Sequence, residues 1–152
     1  PRELQRKIFI EQIDVAKQMN KPIVVHNRDA HGDVMDILKK EAKGLTGVMH
    51  CYSGSWEMAK ELIKMNFFLS VGGPVTFKNS AKLPEIVAKI PLEYLLLETD
   101  CPYLTPQPYR GKRNEPAYIK IIAEKIAQIR NITVEELAVT TTDNVKNLFG
   151  IK

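Results

Sequence analysis

Hydrophobic and polar positions along this chain follow two alternating periods. Leu4, Ile8, Ile13, Val15, Ala16 and Met19 recur at helical spacing in a charged background, and Asn20 with Pro22 closes that helix. Ile23-Val24-Val25-His26 is then a short β-branched run, the pattern of a strand buried on both faces. Residues 29–43 return to the helical period with Val34, Ile37 and Leu38 on one face, and 46–51 form a second strand. Ser53-Gly54-Ser55 can cap a helix through Met58, Ala59, Leu62 and Ile63. A third strand at 67–71 is stopped by Gly72-Gly73-Pro74, and Leu83, Ile86, Val87 and Ile90 mark a helix that Pro91 ends. The most continuous apolar run, 94–99, is the fourth strand. A loop rich in proline and charge occupies 101–116. Two or three helices close the chain: one through Ile119, Ile122, Ala123 and Ile126, one opened by Thr133 and Glu136 at capping-box spacing, and a last with Val145, Leu148 and Phe149 on its apolar side.

Apolar strands alternating with amphipathic helices predict an α/β fold with a parallel sheet and crossover helices. No repeat, low-complexity stretch or linker divides the 152 residues, so 1–152 reads as a single domain. Four strands make either a small open sheet or half of an eight-stranded barrel, which takes about 250 residues. Periodicity does not choose between them. Pro1 opens directly into a charged helical pattern, so the expectation is the C-terminal part of a longer protein.

Composition narrows the class. At 44% hydrophobic and 26% charged, this is an ordinary globular chain, with no membrane-length apolar run and no cationic-apolar leader pattern at its start. Cys51 and Cys101 have no C-x-x-C spacing, which predicts free thiols in a reducing cytoplasm and excludes a disulfide scaffold. A net charge of +4 is compatible with a phosphate-rich partner without requiring one.

The polar residues at the strand ends carry the chemistry. His26 ends the first predicted strand, His50 lies at the end of the second, and Asp100 follows the fourth. In parallel α/β folds the functional face lies at the carboxyl ends of the strands. Two imidazoles and a carboxylate there suit zinc, manganese or magnesium, and Asp100 could also take the proton of an activated water. Singly, each has a structural alternative: a hydrogen-bonded core histidine, or an aspartate capping a helix. Three separate strands ending in such residues favour the metal site. Arg28, two residues after His26, could grip a phosphate oxygen or pair with Asp29 or Asp33. The run Tyr109-Arg110-Gly111-Lys112-Arg113 concentrates positive charge near Asp100, with Tyr103 or Tyr109 available to stack on a base; a solvated loop is the alternative. His31 reads as a surface or supporting residue. Cys51 and Cys101 read as small buried fillers. Glu98 reads as structural, pointing into an interior or orienting a ligand.

Three ordered motifs now stand out: Pro22-Ile23-Val24-Val25-His26-Asn27-Arg28-Asp29-Ala30, Met49-His50-Cys51-Tyr52-Ser53-Gly54, and Leu97-Glu98-Thr99-Asp100-Cys101-Pro102-Tyr103-Leu104. With the closing Asn144-Val145-Lys146-Asn147-Leu148-Phe149, they resemble the TatD family of metal-dependent deoxyribonucleases across the whole chain. The resemblance implies the C-terminal half of an amidohydrolase-like (β/α)8 TIM barrel and hydrolysis of DNA phosphodiesters with two divalent metal ions. It puts His26, His50 and Asp100 on metal ligands, and Arg28 and the loop from Arg110 to Pro116, which includes Arg113, near the substrate, beside the stacking role read above for Tyr103.

The family also carries a His-x-His pair and a bridging glutamate that this sequence does not contain. Three of the expected protein ligands are therefore present, and catalysis by this chain alone is not expected. A half-barrel would leave two sheet edges open, and association of two copies is one way to cover them. The other readings are a small-molecule metallohydrolase of the same superfamily and a non-catalytic half-barrel.

Overall fold

Four short strands and six helices alternate along the chain in the computed structural model, which describes residues 1–152. They are α1 (Arg2–Gln18), β1 (Ile23–His26), α2 (His31–Glu41), β2 (Gly47–His50), α3 (Trp56–Lys64), β3 (Phe67–Val71), α4 (Lys82–Lys89), β4 (Leu95–Leu97), α5 (Ile119–Arg130) and α6 (Val134–Phe149). The strands pair in parallel in the order β1-β2-β3-β4, with His26 opposite His50 at the carboxyl end. Successive neighbours joined by helical crossovers are what the alternating periods predict.

The two faces of the sheet differ. Val25, Met49, Phe67, Leu69, Val71 and Leu95 point one way and form a continuous core with Ile13, Leu38, Leu62, Val87, Ile122 and Leu137 from the helices. The intervening residues, among them Val24, His26, Val48, His50, Phe68, Ser70 and Leu96, fall on the opposite face by the two-residue period of a strand. Only the amino-terminal part of that second face is covered, where Val145 and Leu148 of α6 pack against Val48, Phe68 and Leu96. The expected burial of β1 on both faces fails at Val24, which is 61% exposed because β1 is an edge strand and α6 does not reach it.

Two element boundaries depart from the sequence reading. The helix expected from residue 29 begins at His31, since Asp29 takes a left-handed φ of 55°. The fourth strand is Leu95–Leu97, because residues Leu92–Tyr94 form a 3-10 turn after Pro91 and the ladder ends after the Glu98 N–H donates to the Val71 carbonyl. Of the two or three closing helices expected there are two, since the segment after Thr133 is a single helix. Thr140 and Thr141 return their hydroxyls to the carbonyls of Glu136 and Leu137, so the polar β-branched run does not break it. Asn144 on that helix is buried and donates from Nδ2 to the carbonyls of Leu92 and Leu95, which fixes α6 beneath the sheet. No helix is long and apolar enough to cross a membrane.

Candidate metal centre

The second face of the sheet delivers its polar residues to the carboxyl ends of the strands. His50 closes β2, and Glu98 and Asp100 follow β4; β3 lies between them. β3 contributes room and no ligand. Ser70 is small and buried, and a Cβ on Gly72 would stand 3.3 Å from Glu98 Cγ. Side chains from β2 and β4 therefore meet across it.

Their contacts have a direction. His50 Nδ1 lies 2.8 Å from Glu98 Oε2, which also accepts from the Cys51 backbone N–H at 3.1 Å. His50 Nε2 lies 3.2 Å from Asp100 Oδ1. One ligand atom from each of His50, Glu98 and Asp100 falls within 4.8 Å of the others. His26 stands beside this group, its ring centroid 5.7 Å from that of His50 and tilted by 40°. The compact cluster is thus His50, Glu98 and Asp100, with His26 exposed on the edge strand next to it. Sequence reading gave Glu98 a structural place, pointing into an interior or orienting a ligand, and its contact with His50 Nδ1 fits the second of these. The available signal was the two-residue period, which sets it on the face of Leu96.

The residues present suit a divalent cation. Two ligand atoms each about 2.1 Å from one ion stand about 3 Å apart when their bonds are roughly perpendicular, close to the separation of His50 Nε2 and Asp100 Oδ1. Imidazole nitrogen and carboxylate oxygen form the donor set of zinc, manganese or magnesium sites. Glu98 Oε1 and Asn27 Oδ1 are buried without hydrogen-bond partners, and an ion or its water ligands would satisfy such oxygens. The backbone is unusual in the same place. Cys51, Asp100 and Leu104 have φ of 46°, 54° and 55°, a region that non-glycine residues rarely occupy and that concentrates at functional sites.

The cysteines separate. Burial, reinforced by the charges of Glu98 and Asp100, pushes the Cys51 thiol up to about 12, which favours the neutral thiol and agrees with its reading as a filler. Cys101 is exposed, contrary to the buried role expected of it, in the turn that follows the left-handed residue Asp100. His31 is the first residue of α2 and lies outside the cluster.

None of the sequence-predicted substrate residues belongs to the cluster of His50, Glu98 and Asp100. Arg28 is exposed and makes no ion pair, since Asp33 is taken by Arg2 and Arg6. Tyr103 is 70% exposed, and neither its side chain nor that of Arg113 has a hydrogen-bond partner. Arg110 is partly engaged, its guanidinium carbon 3.9 Å from the centre of the Phe77 ring. Tyr109 stacks on Tyr118, with ring centres 4.8 Å apart. The loop bearing these residues is braced. Gln107 N–H donates to Thr76 Oγ1, and Thr105 Oγ1 donates to the Lys112 carbonyl. Gly73 admits Leu104 so closely that a Cβ there would lie 1.9 Å from the Leu104 carbonyl oxygen.

Fold and site together define a parallel α/β chain with a metal-ligand cluster at the carboxyl ends of its strands. Over residues 1–150 the sequence matches the family described as TatD related DNase, and the chain belongs to that family. It is 56% identical over 152 residues to YabD of Bacillus subtilis, an uncharacterized metal-dependent hydrolase, covering 99% of this chain and 60% of the relative. It is 43% identical over 148 residues to YcfH of Escherichia coli, described in the same words, covering 97% of this chain and 56% of the relative. The crystal structure of YJJV, a TatD homolog from Escherichia coli K12, superposes with a TM-score of 0.92 at 28% identity, covering 99% of this chain and 58% of that one. The chain thus spans about 60% of the length of such relatives.

Proposed function

We propose that this chain supplies one half of the active site of a metal-dependent deoxyribonuclease, and that its sheet is the C-terminal half of a (β/α)8 barrel. The observation that carries the reading is the orientation of His50, whose Nδ1 is engaged by Glu98 while Nε2 is turned to Asp100. His26, His50 and Asp100 would hold divalent metal, with two ions in the complete site, where the family's His-x-His pair and bridging glutamate supply further ligands. A cation held by these residues would supply the chemistry of a Lewis acid, bringing the pKa of a water toward neutrality and offsetting phosphoryl charge. Glu98 fixes the orientation of the His50 ring, and a carboxylate oxygen of Asp100 accepts the proton of the attacking water.

DNA is favoured over a small ester by the surroundings of the site. Arg28 and Arg113 leave their guanidinium groups free for phosphate oxygens, Arg110 adds charge above Phe77, and Tyr103 offers an exposed ring to a base. Two free cysteines agree with a reducing cytoplasm.

The test is cleavage of single- and double-stranded oligonucleotides by the complete natural chain, before and after metal removal with EDTA, with His50→Ala and Asp100→Ala alongside. Cleavage should disappear with the metal, return on adding Mn²⁺, Zn²⁺ or Mg²⁺, and be lost in both variants. Cleavage that survives chelation and both substitutions overturns the reading. Turnover of a small phosphate ester or lactone with no action on DNA would make the protein a small-molecule metallohydrolase.

A further inference from the structure

The loop that carries Asp100 is tied down by one buried amide. Asn114 is 2% exposed, and its Nδ2 donates to the carbonyls of Thr99 at 2.6 Å and Tyr103 at 2.5 Å. Its Oδ1 accepts from the Glu115 backbone N–H at 2.9 Å, and its own backbone N–H donates to the Pro102 carbonyl at 3.1 Å. The two carbonyls held by Nδ2 lie on either side of Asp100 in sequence. Asp100 has a φ of 54°, and β4 has ended at Leu97, so the strand ladder does not impose that conformation. A strained residue keeps its conformation only where its surroundings over-determine it.

Only an amide meets the demand made here. Nδ2 carries two protons for two carbonyls, and Oδ1 accepts a third bond. An aspartate would turn oxygens toward both carbonyls, and a serine would be too short to span them. Asn114 also continues directly from Arg110, Lys112 and Arg113, so the same side chain joins the basic segment to the Asp100 turn.

We propose that Asn114 is a positioning residue that holds the Asp100 carboxylate in its ligand geometry and couples the basic segment to it. This rests on the reading of Asp100 as a metal ligand. Thr105 provides the contrast. It is also buried and braces the same loop through the Lys112 carbonyl, but its bond does not flank Asp100.

The experiment is calorimetric titration of Mn²⁺ alone into the complete natural chain, comparing the unmodified protein with Asn114→Asp and Thr105→Val, and thermal unfolding of each without metal. Asn114→Asp should raise the Mn²⁺ dissociation constant by about 10–100-fold, the usual effect of losing a residue that orients a ligand. Thr105→Val should lower the unfolding temperature and leave Mn²⁺ affinity unchanged. Unchanged affinity in Asn114→Asp, or equal losses in the two variants, overturns the proposal. Should Asn114→Asp fail to fold, Asn114→Ser takes its place with the same expected loss; if neither folds, Asn114 is a folding determinant and the proposal fails. Absence of Mn²⁺ binding by the unmodified chain overturns the metal-site reading itself, and this proposal with it.

Discussion

His50 Nδ1 lies 2.8 Å from Glu98 Oε2, and this contact decides which nitrogen of the ring is available. A carboxylate on one imidazole nitrogen favours the proton there and leaves the other nitrogen as a lone-pair donor. That other nitrogen, Nε2, faces Asp100 Oδ1. Replacing Glu98 by Gln keeps the shape and removes the charge. Metal affinity should fall by about 10–100-fold in Glu98→Gln and further in Glu98→Ala, measured by titration of Zn²⁺ or Mn²⁺. Affinity as tight as in the unmodified protein would mean that Glu98 does not orient the ligand.

Gly73 lies against the backbone of Leu104. A Cβ at Gly73 would meet the Leu104 carbonyl oxygen at 1.9 Å, and backbone cannot swing aside as a flexible side chain can. Gly73→Ala should therefore destabilise the fold by about 1–3 kcal/mol or more, the cost of overpacking a tight interior. Because Leu104 lies in the turn after Asp100, metal affinity should fall as well. Urea unfolding and metal titration on the same sample check both outcomes.

Asp33 joins α1 to α2 through Arg2, at 2.6 and 2.7 Å, and Arg6, at 2.5 Å. The Arg2 hydrogen bond, then the charges of Arg2 and Arg6, hold its carboxyl below the ordinary value of 3.8 despite partial desolvation. A carboxylate whose folded pKa is depressed adds stability that is fully present above its unfolded pKa and is lost as pH falls through the folded one. Asp33→Asn should accordingly lower the unfolding temperature at pH 7. The difference should shrink below about pH 4, where the unfolded-state group protonates, and vanish at more acidic pH. Salt should reduce the neutral-pH difference, since Arg2 is largely exposed. A gap that is constant between pH 7 and pH 2 would rule out the ion pair as its source.

Element type and order were legible in this sequence because the periods of strand and helix are themselves packing instructions. Burial of Val25, Met49 and Leu69 on one face, with His50 and Ser70 on the other, follows from simple alternation. His50 and Asp100 were legible for a related reason, since strand ends are where a parallel sheet places its chemistry. Glu98 and Asn114 were harder to read. Their roles depend on long-range contacts, 48 residues apart for His50 with Glu98 and 15 for Asn114 with Thr99, which no local period encodes. The exposure of Val24 was equally hidden, because a β-branched run does not reveal that its strand lies at an edge.

The two kinds of contact expected with DNA should respond differently to salt. Arg113 is exposed and unpaired, so as a phosphate contact its replacement by Ala should weaken binding across all sequences and reduce the slope of log K against log salt by about 1. Arg110 is partly engaged by Phe77, so Arg110→Ala should change the slope less. Tyr103 has no charge to release counterions. As a stacking platform, Tyr103→Ala should cost single-stranded binding about 1–3 kcal/mol and leave the salt slope where it was. Fluorescence anisotropy with a short labelled oligonucleotide, in the presence of Ca²⁺ to limit turnover, yields both quantities at several salt concentrations. Equal slopes for Arg113→Ala and the unmodified chain, with no loss in Tyr103→Ala, would remove this loop from the DNA path. The phosphate grip would then fall to Arg28, exposed two residues after His26, whose replacement by Ala carries the same slope test.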